Sequence, residues 1–287
     1  MRSENGSVPT LTVIVATRDR PAQLMACLTS LERQRRTFPA FDTIVVDDGS
    51  ADAAAVAQAV APYPWAHLLR GNHGGVSSAR NLGVEAARAP FLAFIDDDCV
   101  TGPGWAQRLV RALQNGADAV AGPTVVGRRD DRLAGASQVV ANALVTREAA
   151  RLEHTDFAPS SNLACRRDVF RNQPFSLLYA DAAAEDRDWC ERLVRSGRGL
   201  AYDPGAIVYH FQELDLSTFL TKHFRYGRGA FEYRRRHRRG RLERPGFYGK
   251  LVVEGFQAGF GTGVCVCVAQ LATAAGFVAG TLAARSR

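Results

Sequence analysis

An α/β fold around a mostly parallel sheet is the prediction for this chain, and three observations carry it. Four short runs of strand type alternate with amphipathic helical stretches through the first half. Those runs are nearly continuous in Val, Ile, Leu and Phe, the pattern of strands covered on both faces. The composition, 46% hydrophobic and 23% charged over 287 residues, is that of a folded protein and excludes a disordered one. This length suits one large α/β domain with an added element, or two small domains.

The first strand is "LTVIVAT" (11–17), followed by "PAQLMACLTSLERQ", where Pro21 is placed to start a helix and Leu24, Cys27, Leu28 and Leu31 recur at helical spacing. "FDTIVVDDGS" (41–50) is a second strand ending in a turn, and "AHLLRG" (66–71) a third, leading into the helical "VSSARNLGVEAARA". "PFLAFIDDD" is the fourth. Beyond residue 116 the spacing predicts a strand in "DAVAGPTVV", a helix in "SQVVANALVTREAARL", and a strand with a turn in "SSNLACRRDVF". "EDRDWCERLVRSG" is a helix with acids in its first turn and Gly197 at its stop, and "LAYDPGAIVYH" a strand ending at His210.

Six cysteines are scattered with no CxxC pair, which argues against a zinc ribbon or a disulfide framework and points to a reducing compartment. The polar N-terminus "MRSENGSVPT" has no apolar core of a secretory signal. The net charge of +7 is concentrated: Lys222–Lys250 holds nine Arg and two Lys against Glu232 and Glu243, so the remainder is slightly acidic.

The acids cluster where strands end. Asp47 and Asp48 close the second strand, Asp96, Asp97 and Asp98 the fourth, and Thr17, Arg18 and Asp19 the first. In a parallel sheet these ends share one edge, and ligands bind beyond it. Adjacent hard carboxylates suit Mg²⁺ or Mn²⁺, whose charge offsets their repulsion and which often bridge to substrate phosphates.

"VIVATRDRP", "IVVDDGS", "SSARNLG", "FLAFIDDDC" and "EDRDWCERL" resemble, in order and spacing, the family 2 glycosyltransferases, over roughly residues 10 to 210. The resemblance implies a GT-A fold, a nucleotide-binding α/β sandwich around one mixed, mostly parallel sheet, and transfer of a sugar from a nucleotide diphosphate sugar donor to an acceptor hydroxyl, usually with inversion. It implies donor contacts from Thr17, Arg18, Asp48 (nucleobase), Arg80 and Asp96, with Asp97 at the ribose. Asp96 and Asp98 match the D-x-D metal pair, and His210 is a further candidate metal ligand. Asp186 matches the general base. It shares a helix face with Trp189, Cys190 and Leu193, and partial burial there would raise its pKa toward a useful value, although acids in a helix first turn are favourable in any case.

The expected division is a GT-A domain over 1–221, a basic helical linker over 222–250 and a hydrophobic membrane-associated segment over 251–287. Gly255–Ala284 carries no charge, and as helix it would reach about 45 Å. Its Gly255/Gly259/Gly263 and Gly276/Gly280 spacings are those of closely approaching membrane helices. The arginines beside it point to the cytoplasmic side of the cell membrane, and a soluble helical hairpin packed on the core is the alternative. Two other functions stay open: a nucleotidyltransferase, and a non-enzymatic basic protein. A dehydrogenase is excluded because no G-x-G-x-x-G follows the first strand. Confinement of the basic surplus to one segment beside an apolar stretch favours lipid over nucleic acid as its partner.

Overall fold

The computed structural model describes residues 8–143, 145, 155, 157–179, 183–237 and 245–285. Its first half is the expected alternation: β1 (Leu11–Thr17), α1 (Pro21–Arg35), β2 (Phe41–Asp47), α2 (Ala53–Val60), β3 (Ala66–Arg70), α3 (Val76–Ala86) and β4 (Phe91–Asp96). Pro21 is at the start of α1, where its missing N–H has no helical partner to lose. Next come β5 (Cys99–Thr101), α4 (Trp105–Gln114), β6 (Ala119–Ala121), β7 (Thr124–Val126), α5 (Arg132–Asn142), β8 (Leu163–Arg166) and α6 (Arg167–Asn172). Then follow α7 (Glu185–Arg195), β9 (Leu200–Tyr202), β10 (Val208–His210), α8 (Leu216–His237), α9 (Pro245–Ala258) and α10 (Phe260–Arg285).

The main sheet has the order β3-β2-β1-β4-β8-β6-β9, and β8 alone runs antiparallel to its neighbours. Alternate residues of each strand face opposite layers. Leu11, Val13 and Val15 pack with Leu28 and Leu31 of α1 and Trp105 and Leu109 of α4. Ile14, Ile44, Val46 and Phe94 pack with Val84 of α3, Phe170 of α6 and Trp189 of α7. Burying each such side chain stabilises the fold by about 1.5–3 kcal/mol. The register sets Thr17 beside Asp47 and Ala16 beside Asp96, so the three acidic strand ends do share one edge.

Two predicted strands are each split. "DAVAGPTVV" breaks before Pro123, which cannot donate to a ladder, so β6 joins the main sheet and β7 a small second one. "LAYDPGAIVYH" breaks at a turn through Asp203 and Gly205 into β9 and β10, again in different sheets. Buried Asn162 ties both bends: its side-chain N–H groups donate to the carbonyls of Pro123 (3.0 Å) and Ala206 (2.8 Å), and its oxygen accepts from the Trp105 indole (2.9 Å). The second sheet, β5-β10-β7, sets His210 opposite Cys99 and so delivers it to the acidic edge. "SSNLACRRDVF" holds a 3-10 turn, β8 and a short helix instead of a strand and turn. The helix expected in "SQVVANALVTREAARL" ends at Asn142, and residues 144, 146–154 and 156 lie outside the described residues.

Helices α8, α9 and α10 dock on α5 through Ala136, Phe219, Leu251, Val266 and Ala269. The boundary expected between 221 and 222 falls inside α8, and the basic stretch is helical through His237; residues 238–244 lie outside the described residues. Helix α10 is the one helix among the described residues long and apolar enough to cross a membrane, 26 residues or about 39 Å. Its glycines serve contacts within the chain: Gly276 abuts the Phe224 backbone and Gly227 of α8 abuts that of Thr273, each with no room for a Cβ. Gly276→Val should therefore push α8 and α10 apart, lowering stability by about 1–3 kcal/mol. Thermal denaturation of the full chain measures it, and an unchanged midpoint would mean this crossing does not hold the helices.

Candidate active site

The carboxyl edge of the main sheet opens into a cleft of about 1490 Å³ that reaches from the ends of β1, β2 and β4 to α8, α9 and α10. Thr17, Arg18, Asp48, Arg80, Asp96, Asp97, Asp98, Asp186 and His210 all line it, so every candidate donor, metal and base residue named from the sequence lines one cleft.

Neighbouring acids have separate tasks there. Asp47 accepts from Arg70 (3.1 Å) and from the Ser50 N–H (2.8 Å), which makes it a brace for the turn. Asp48 accepts the N–H groups of Gly74 and Gly75, each at 2.9 Å, fixing the loop that enters α3. Half-exposed Arg18 pairs with Asp19 at 3.4 Å.

The three aspartates after β4 divide in the same way. Asp97, expected at a ribose, is buried and accepts from the Thr17 hydroxyl at 2.7 Å and from Arg20 at 3.3 Å; this geometry makes it a brace between the ends of β1 and β4. Burial and the Asp98 charge push its pKa up to about 6. Asp98 pairs with His210 at 3.1 Å and Arg20 at 3.2 Å. Burial raises its pKa, but the His210 hydrogen bond and the charges of His210, Arg20 and Lys222 outweigh burial and hold it below the usual carboxylate range. Ligand atoms of Asp96, Asp98, Cys99 and His210 lie within 4.8 Å of one another, a spacing that can hold a metal ion. Burial pushes the Cys99 thiol well up, so the oxygens and the imidazole are the hard-ion donors.

Arg80 is nearly inaccessible and bridges two elements: one guanidinium N–H group donates to Asp96 (2.5 Å) and another to Glu185 (3.2 Å), with the Phe175 ring 5.8 Å away. A buried cation held by two carboxylates is a strut between the end of β4 and the first turn of α7, and it also lines the cleft where the donor contact is expected.

The first-turn acids of α7 also separate. Glu185 holds Arg80. Asp188 accepts from Tyr179 (3.2 Å) and Arg192 (2.7 Å) and pairs with His237 (2.8 Å), fastening the end of α8. Asp186 is left facing the cleft, accepting the Arg187 N–H at 2.7 Å. Burial, then the Glu185 charge, pushes its pKa up to about 7.

Sequence reasoning missed Arg20 and Gln212, placed Glu185 only among the first-turn acids of its helix, and took Lys222 only as part of a basic segment. Lys222 bonds Gln212, and burial lowers its pKa against the opposing pull of Asp98 and Asp96. A signal for Arg20 was present: it follows a strand end on an edge already crowded with carboxylates, where a counter-cation is required.

The comparisons with known proteins agree with this architecture. A solved structure titled a mannosyltransferase from Pyrobaculum calidifontis in complex with GDP-Man and Mn²⁺ superposes with a TM-score of 0.63 at 19% identity, covering 98% of this chain and 78% of that one. The fold is GT-A. A pre-mycofactocin glycosyltransferase of Mycobacterium tuberculosis is 29% identical over 79% of this chain and 48% of its own length. Glycosyltransferase AglE of Haloferax volcanii is 25% identical over 79% of this chain and 74% of its own. The chain thus spans about half the length of the mycobacterial relative. The model of Glycosyl transferase family 2 matches residues 12–173, more than half of the sequence, and the chain belongs to that family.

Proposed function

We propose that this chain transfers a sugar from a nucleotide diphosphate sugar to an acceptor hydroxyl, with inversion and with Mg²⁺ or Mn²⁺, at the cytoplasmic face of the cell membrane. The observation that carries the reading is one cleft holding both a convergent Asp96–Asp98–His210 cluster and a partly buried carboxylate, Asp186, outside that cluster. Displacement with inversion needs charge compensation for the departing diphosphate and a base for the attacking oxygen.

Asp96, Asp98 and His210 would hold the metal, which would supply neutralising charge to the departing diphosphate. Lys222 and Arg225 line the same cleft and supply fixed positive charge to it. Asp48 and Arg18 stand at the nucleotide end, and Thr17 holds its wall through Asp97. Asp186 takes the acceptor proton. The Mn²⁺ and GDP-Man named for the Pyrobaculum protein are in keeping with this donor class. The apolar length of α10 and the basic residues of α8 support the membrane-face reading.

A donor screen by thermal shift tests the proposal. Nucleoside diphosphates and their sugars, at a hundred times their Kd, should stabilise the protein by about 2.7 kcal/mol with Mn²⁺ present, and less without it. Asp98→Ala should remove the Mn²⁺-dependent part while remaining folded. Equal stabilisation with and without metal in the unaltered protein would remove the metal from the site.

A further inference from the structure

The cleft does not stop at the carboxylates. Along α8 its lining residues include Thr218, Lys222, Tyr226, Ala230 and Arg234, one i,i+4 row of that helix, so the groove follows the row for about 24 Å. The facing wall changes character along this length. It is built from Leu251 of α9 and Leu271, Ala274, Phe277 and Val278 of α10, with no charge among them. Leu271 and Val278 are 72% and 55% exposed as well as lining the cleft. They share a stripe of α10 with exposed Phe260, Val264 and Leu282, and the Phe260 ring lies 5.8 Å from that of exposed Phe256 on α9. The groove therefore opens sideways onto a continuous apolar strip. Scattered apolar side chains on a surface mean little, but a contiguous strip marks an interaction site.

A cation marks the seam between the two regions. The Arg234 guanidinium lies over the Phe277 ring at 5.6 Å, where the polar stripe of α8 meets the apolar wall of α10. A polar reaction centre, a cationic seam and an apolar exit form the complement of an amphiphile.

We propose that the acceptor is a lipid-borne hydroxyl: a hydroxyl-bearing head at Asp186, an anionic phosphate link at Arg234, and a hydrocarbon chain along Leu251, Leu271, Phe277 and Val278 that leaves through the apolar strip. This rests on the transferase reading above. The acceptor oxygen bonds to the anomeric carbon as the bond from that carbon to the β-phosphate oxygen breaks. The electron pair departs with the nucleoside diphosphate, and the proton passes to Asp186. Each methylene of the chain that leaves water should tighten acceptor binding about fourfold.

The full-length protein in mild detergent is given its screened donor, labelled in the sugar, with either a total lipid extract or the lipid-free aqueous extract of the producing cells. The expected result is label in the organic phase, matched by released nucleoside diphosphate. The Leu271→Asp/Val278→Asp double variant should lower the lipid product tenfold or more through a higher KM, with the thermal midpoint of the free protein retained, because both side chains are already exposed. Label only in a water-soluble product overturns the proposal and leaves the transferase reading standing. An unchanged lipid product from the double variant also overturns it, as does donor binding with transfer to neither extract. Absence of both donor binding and transfer sinks the transferase reading itself.

Discussion

Asp186→Asn should lose roughly 10²–10⁴ in kcat while retaining donor binding and metal dependence. The amide keeps the shape of the carboxylate and can still accept the Arg187 N–H, so the first turn of α7 is undisturbed. It cannot take a proton from the acceptor. The position has what a base requires: it faces the cleft, and burial with the Glu185 charge brings its pKa to about 7, near neutrality. The sign is fixed by chemistry, since the deprotonated form acts. In the unaltered enzyme kcat/KM should fall roughly tenfold per pH unit below about 7 and level off above it. That limb should disappear from the residual activity of Asp186→Asn.

Its neighbours give contrasting outcomes. Glu185→Gln weakens the hold on Arg80, and Asp188→Asn loosens the contact with Tyr179, Arg192 and His237. Both should lower stability more than they change the pH limb. Near-normal turnover in Asp186→Asn, with a neighbour's variant inactive, would move the base to that neighbour. Normal turnover in all three would remove α7 from the mechanism.

The parts of this site legible in the sequence are those governed by local pattern. Runs such as "LTVIVAT" and "FLAFID" declare buried parallel strands, and parallel strands bring their ends to one edge, so the meeting of Thr17, Asp48 and Asp96 follows from periodicity alone. The split of "DAVAGPTVV" and "LAYDPGAIVYH" was harder because three-residue strands are too short to display a period. The pairing of β10 with β5, which carries His210 to Asp98, joins segments far apart in the chain and leaves no local trace. The same holds for burial. "SSARNLG" gives Arg80 a place near the donor, but only the tertiary structure closes Asp96 and Glu185 around it. The glycine spacings of α10 were readable as close helix approach, yet the sequence did not name the partner, which is α8 of the same chain.

Arg80→Ala should destabilise the full chain by about 3 kcal/mol, the lower end of what breaking a buried ion pair costs, because Asp96 keeps partial access to water. Glu185 suffers more: its carboxylate is nearly buried and would lose its charged partner. The thermal midpoint should drop by roughly 6 °C for a chain of this size. Activity should fall further than the loss of folded protein explains. With the strut gone, the end of β4, which carries Asp96, and the first turn of α7, which presents Asp186, are no longer held in register, and small misplacements at a reacting centre are expensive. The double variant Arg80→Met/Glu185→Met separates the two effects. Removing the paired charges together should restore much of the stability, since the buried carboxylate no longer lacks a partner, while activity stays low. If Arg80→Ala melts normally and only donor affinity suffers, the guanidinium serves the substrate directly, and its bridge between Asp96 and Glu185 is a feature of the free enzyme alone.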